Sequence, residues 1–232
     1  MCTLPRIEEP LYIIGDVHGC VKSLHALIEQ LPQKDKSHLV FVGDLIDRGY
    51  DSACVVEYVK NGGYDCIKGN HEAVMVEAYE TNDMRDWLSI GNGGQHTMSS
   101  YTNSRDIDLQ EHLRWLKSLP DHLEYNIPDE NGRTLFVTHG FGLPFYESKD
   151  SMYLRNNRIS KSILYGVQKP LYPYEKDYLH YPIFNVFGHD HFNEPWITKN
   201  FCGIDTGCVY GGKLCALEWP SKRLFLQNNI DD

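Results

Sequence analysis

Leu11-Tyr12-Ile13-Ile14-Gly15-Asp16-Val17-His18-Gly19 is a run of four apolar residues that ends in a polar turn, and the chain repeats this plan. The run has the length of a short buried strand, and the segment after it sets Val21, Leu24, Leu27, Ile28 and Leu31 at helical spacing. Leu39-Val40-Phe41-Val42 reads as a second buried strand, followed by a helix from about Ser52 to Lys60 with Ser52 as its cap. Gly62-Gly63 stops that helix ahead of a third strand, Tyr64 to Lys68. A β-α-β-α-β opening of this kind predicts a parallel sheet covered on both faces, with a site at the carboxyl ends of its strands.

Those strand ends carry Gly15-Asp16-Val17-His18-Gly19, Gly43-Asp44-Leu45-Ile46-Asp47-Arg48-Gly49 and Gly69-Asn70-His71-Glu72. Carboxylate, imidazole and amide groups are thus delivered to one edge. Asp16 and His18 can face one ion across a tight turn, because the flanking glycines permit backbone angles that other residues resist. Further on, Thr138-His139-Gly140 ends the apolar run Leu135 to Val137, and Gly188-His189-Asp190-His191 ends Ile183 to Phe187. Mixed His, Asp and Asn ligation suits Mn²⁺, Fe or Zn²⁺ better than Mg²⁺ or Ca²⁺. Each fragment alone is weak, but five of them closing buried strands point to a metal site.

The patterns G-D-V-H-G, G-D-L-I-D-R-G, G-N-H-E, H-G and G-H span residues 15–189 and resemble those of the calcineurin-like metallophosphoesterase superfamily, in particular its bacterial PPP-type serine/threonine phosphatase branch. Trp87-Leu88, Gly93-Gly94-Gln95, Leu119-Pro120 and residues 204–212 are similar to further segments of bacterial PPP-type enzymes, and the chain as a whole is similar also to diadenosine tetraphosphatases. The resemblance implies an α/β fold, a four-layer αββα sandwich of two mixed sheets with a dinuclear centre between strand ends. It implies Asp16 and His18 on the first of two divalent ions, Asp44 bridging, and Asn70, His139 and His189 on the second. His71 becomes the general acid, oriented by Asp47, and Arg48 grips the phosphoryl oxygens while a hydroxide shared by the ions attacks phosphorus. The wider superfamily closes on G-H-x-H, which adds His191 to the ligands. A second phosphate-gripping arginine is expected downstream of His139, at Arg155 or Arg158, and Tyr153-Leu154-Arg155 is similar to its context in relatives. Tyr210 is similar in position to a tyrosine lining the site of relatives.

With 232 residues and 41% hydrophobic composition, one domain over residues 1–232 is expected. The net charge of -10 repels nucleic acid and anionic membrane, so a phosphate site must be locally positive. No stretch approaches the roughly 18 apolar residues of a membrane span. Seven scattered cysteines without a C-x-x-C pair fit reduced thiols and a cytoplasmic location. The segments Leu135–Val137, Ile183–Phe187, Lys213–Trp219 and Leu224–Leu226 read as strands of a second sheet. Residues 141–182, with seven of the fifteen tyrosines and six Lys or Arg against four acids, form a basic aromatic loop region, and the Gly run 91–94 reads as a helix break. Three functions compete: phosphoserine/phosphothreonine protein phosphatase, symmetrical diadenosine tetraphosphate or other nucleotide hydrolase, and a non-catalytic scaffold. The substrate is accordingly a phosphorylated protein or a nucleotide.

Overall fold

Strand β1 (Leu11–Ile14) splits its side chains between two cores, and that division organises the molecule. The computed structural model describes residues 10–149, Leu164 and residues 178–231. Leu11 and Ile13 enter one apolar cluster with Val40, Val42, Leu135, Val137, Phe184 and Val186. Tyr12 and Ile14 enter another with Leu39, Phe41 and the helix residues Leu24, Leu27, Val56, Met75 and Leu116. A one-residue slip would exchange these faces, and each side chain so buried stabilises the fold by roughly 1.5–3 kcal/mol.

In the first sheet β1 pairs parallel with β2 (His38–Phe41), which pairs parallel with β3 (Asp65–Cys66). Two late strands, β9 (Lys213–Trp219) and β10 (Leu224–Asn228), complete the order β10-β9-β1-β2-β3, with β9 antiparallel to β1. The second sheet has the order β4-β5-β6-β8-β7, built from β4 (His122–Tyr125), β5 (Thr134–Thr138), β6 (Ile183–Phe187), β7 (Trp196–Ile197) and β8 (Phe201–Gly203). Here β5 and β6 are parallel.

Three expectations need correction. Lys213–Trp219 and Leu224–Asn228 belong to the first sheet, because Leu214 and Ala216 must meet the helices while Cys215, Leu217 and Trp219 fill the space between the sheets. The first sheet is mixed, and helices cover one of its faces; its other face is covered by the second sheet, as in the sandwich that the family resemblance implies. On the helical side lie α1 (Val21–Glu29), α2 (Ser52–Asn61), α3 (Asn70–Thr81), α4 (Gly94–Asn103) and α5 (Leu109–Ser118). Asp51, rather than Ser52, occupies the cap position of α2. The far face of the second sheet carries Phe136, Ile183, Phe187 and Phe201 under Phe141 and Leu143. Asn185 orders the chain there, accepting from the Gly142 N–H at 2.9 Å and donating to Thr138 Oγ1 at 2.9 Å. Among the described residues no helix is long and apolar enough to cross a membrane, and all six described cysteines are free thiols.

Candidate active site

Five parallel strand ends, three from one sheet and two from the other, supply the cluster. Asp16 and His18 follow β1, Asp44 through Arg48 follow β2, and Asn70 and His71 begin α3 just beyond β3. His139 follows β5 and His189 follows β6. The turns interlock through the backbone: the N–H groups of Val17 and His18 donate to the Asp44 carbonyl at 3.1 and 2.9 Å. Across the sheets, His139 Nδ1 donates to the Val42 carbonyl at 2.7 Å.

The backbone is strained where the side chains converge. His18 (φ 45°), Asp44 (50°), Asp47 (70°), Arg48 (68°) and His189 (67°) all occupy the left-handed region without being glycine. Conformations of this sort cost about 1–3 kcal/mol each and persist only when the surroundings hold them. Gly188 is required by a close approach, since a Cβ there would lie 2.0 Å from Asp16 Oδ1.

Asp44 is the centre of the arrangement, and its two oxygens face different partners. Oδ2 lies 3.4 Å from His18 Nε2, and Oδ1 lies 3.3 Å from His139 Nε2. His18 Nδ1 is 2.7 Å from the Ile46 carbonyl, which can only accept, so Nδ1 carries the hydrogen. Burial brings the His18 pKa down to about 3, with His71 and Arg48 adding to it against the pull of Asp44. The neutral ring therefore turns a lone pair towards a carboxylate oxygen. His139 repeats the pattern, its Nε2 facing both Asp44 Oδ1 and, at 2.9 Å, Asn70 Oδ1. Burial alone would lower its pKa, but Asp44 and Asp16 raise it to about 10. Positive charge is demanded at that face, whether a proton or a metal ion supplies it.

The acids carry the same signature. Burial, with Asp205 and Asp44 nearby, holds the Asp16 carboxyl well above the usual range, while burial of Asp44 is overruled by His139, His71 and His18, which hold its carboxyl low. His18, Asp44 and His71 form one group, and Asp44, His139 and His189 a second, in which the potential donor atoms lie within 4.8 Å of one another. Asn70 Oδ1 adds a further oxygen, 2.8 Å from His189 Nδ1. Imidazole nitrogens set against carboxylate oxygens, in two groups sharing one acid, fit the chemistry of a pair of divalent cations.

Beside this cluster, His71 Nδ1 sits 2.7 Å from Asp47 Oδ2, and its Nε2 faces Asp44 Oδ2 at 4.0 Å. Asp47 is wholly buried, and its carboxylate accepts from Trp87 Nε1 at 3.0 and 3.2 Å and from Thr97 Oγ1 at 2.7 Å. Arg48 points into the cluster, 2.5 Å from His18 Nε2, with its guanidinium 5.5 Å from the Tyr210 ring.

The structure thus gathers Asp16, His18, Asp44, Asp47, Arg48, Asn70, His71, His139 and His189, with Tyr210 at the rim. Asp16 enters through the backbone, its carboxylate accepting from the His189 N–H at 3.0 Å. His191 is in neither donor group; its exposed ring lies 5.6 Å from that of Tyr210. Arg155 and Arg158 lie outside the described residues. Sequence reasoning missed two acids. Glu72 accepts from the N–H groups of Asp44, Leu45 and Gly69 at 2.8, 2.9 and 2.8 Å, locking two strand ends together, and burial beside Asp44 pushes its pKa up to about 7. Asp205, held by the Gly207 N–H at 2.9 Å, adds buried charge next to Asp16. Their positions in G-N-H-E and I-D-T-G were the available signal.

The profile of the calcineurin-like phosphoesterase family matches residues 9–193. Serine/threonine-protein phosphatase 2 of Escherichia coli (strain K12) is 30% identical over 209 residues, which cover 88% of this chain and 90% of that protein. The asymmetrical bis(5'-nucleosyl)-tetraphosphatase PrpE of Oceanobacillus iheyensis is 27% identical, covering 90% of this chain and 88% of its own. Among solved structures, a protein serine/threonine phosphatase from Saccharomyces cerevisiae with similarity to human phosphatase PP5 superposes with a TM-score of 0.63 over 96% of this chain and 80% of that one. At 15% identity, that last likeness is one of fold.

Proposed function

We propose, since the chain belongs to the calcineurin-like phosphoesterase family, that its strand-end cluster hydrolyses phosphate esters or anhydrides with two divalent cations in place. The observation that carries the reading is Asp44, whose two oxygens each face an imidazole lone pair or its proton. In this reading Asp16, His18 and Asp44 hold one ion, and Asp44, Asn70, His139 and His189 hold the other. Divalent ions bound there supply Lewis acidity, activating water and neutralising the phosphoryl oxygens. Manganese is the ion we favour for this mixed nitrogen and oxygen set, ahead of iron and zinc.

The chain's own groups do the rest. Arg48 binds the phosphoryl oxygens and opposes the charge that builds on them. His71 protonates the leaving oxygen as the imidazolium: its Nδ1–H donates to the buried Asp47 carboxylate, which opposes the ring's charge and fixes its orientation, and its Nε2–H is the proton given, leaving a neutral ring. Trp87 and Thr97 hold Asp47 in turn. This removes torsional freedom from the acid without touching substrate.

A protein phosphatase acting on phosphoserine or phosphothreonine is the first substrate reading, supported by the similarity to the E. coli phosphatase. A nucleotide hydrolase is the second, favoured by the exposed Tyr210 ring beside Arg48. The deciding experiment supplies Mn²⁺ and compares release from a phosphoserine peptide and from diadenosine tetraphosphate. Hydrolysis of either supports the reading, and inertness toward both defeats it. Independently, Asp44→Asn is expected to purify with neither ion; a full complement by elemental analysis would exclude Asp44 as the bridge.

A further inference from the structure

Arg48 does not stand alone at the surface. Two residues on, Tyr50 lies against the His96 ring, with centroids 5.0 Å apart and planes 31° apart, and is 68% exposed. His96 is itself fixed, because its Nδ1 donates to the Arg48 carbonyl. The Arg48 N–H reaches the Gly93 carbonyl at 3.4 Å, and a Cβ on Gly93 would come within 2.8 Å of that nitrogen. The Gly run 91–94, which the sequence presents as a helix break, is thus the brace for the arginine and its aromatic neighbour.

A ring with two thirds of its surface open gains little from burial, so stability does not account for an ordered Tyr50–His96 stack. Against the Arg48 guanidinium itself, 5.5 Å from it, the Tyr210 ring is 61% exposed and is backed by His191 at 5.6 Å. The tyrosine two residues along the chain from Arg48 and the tyrosine against its guanidinium therefore each have a histidine behind them and a face towards solvent. A planar, uncharged group tethered to a phosphate engages such a face; a phosphoserine side chain carries none.

Resting on the phosphoesterase reading for the place of the phosphate, we propose that Tyr50, supported by His96, is the platform on which the base of a nucleoside polyphosphate stacks while a phosphate lies at Arg48. A substrate with a base at each end of its phosphate chain would use Tyr210 for the second.

Calorimetric binding of adenosine 5′-monophosphate and of ribose 5-phosphate, with Mn²⁺ supplied, isolates the contribution of the base from that of the phosphate. The wild-type chain is expected to bind the nucleotide roughly tenfold more tightly, within the range that stacking on an aromatic ring gives. Tyr50→Ala should bring that ratio close to one, and Tyr50→Phe should restore it. Equal affinities in the wild type, or a ratio that survives Tyr50→Ala, would overturn the platform. Because ribose 5-phosphate reports the phosphate alone, its failure to bind would instead remove the phosphate from Arg48 and with it the parent reading.

Discussion

His71 and His112 each set a ring nitrogen 2.7 Å from a carboxylate oxygen, Asp47 in one case and Glu57 in the other, and each residue is 1% exposed. The difference lies in the second nitrogen. His112 Nδ1 meets the Tyr101 hydroxyl at 2.8 Å, so both its nitrogens are engaged and the ring ties α2, α4 and α5 together. His71 turns Nε2 towards Asp44, into the cluster. Their carboxylates differ too, since Asp47 is wholly buried while the Glu57 side chain is 39% exposed. A histidine–carboxylate contact by itself therefore says nothing of chemistry; what the far nitrogen faces decides.

Removing each histidine tests that contrast. His71→Asn is expected to lower kcat by roughly 10²–10⁴, the usual scale of general acid catalysis, with metal content kept; unaltered turnover would take His71 out of the mechanism. His112→Ala should do the reverse, costing about 2 kcal/mol of stability by taking the partner from the Tyr101 hydroxyl and from Glu57 Oε2 and opening a small void, with kcat retained. Urea titration alongside steady-state rates reads both. A third variant probes the support behind His71: Trp87→Phe keeps an aromatic ring, though a smaller one, and deletes the N–H that reaches Asp47. A fall in kcat of about tenfold is expected, the scale of one hydrogen bond to a charged group, with KM little changed.

The smallest effect is in pH. Burial lowers the His112 pKa, with Glu57 opposing it, so the unfolded chain takes up a proton at a pH where the folded chain does not. Stability from this residue is full above the unfolded value of about 6.5 and declines as the pH falls towards the folded value. Unfolding midpoints at pH 7.5, 6.5 and 5.5 should therefore fall more steeply for the wild type than for His112→Gln. Equal slopes would show that the histidine titrates alike in both states.

What the sequence disclosed, and what it withheld, follow the range of the interactions. Asp16, His18, Asp44, Asn70, His139 and His189 were legible because each stands within a few residues of a strand that announces itself by apolar runs. Lys213–Trp219 was legible as a strand but not as a neighbour of β1, since alternation reports that both faces are covered and not by which partner. β7 and β8, of two and three residues, are too short for periodicity to register. Glu72 looked like the end of a motif; its task, receiving three backbone N–H groups from two turns, exists only once β2 and β3 lie side by side. The bracing of Arg48 by Gly93 and His96 was hidden for the same reason, being a contact across more than forty residues.

The cluster is mounted on three strand ends of one sheet and two of the other, joined across the gap by His139 and Val42. It is in effect a caliper, its jaws set by the thickness of the apolar filling between the sheets. Thinning that filling at Val137 or Leu217, neither of which would touch an ion, would move one jaw against the other. Grip on a small ion would then slacken while the fold still stood.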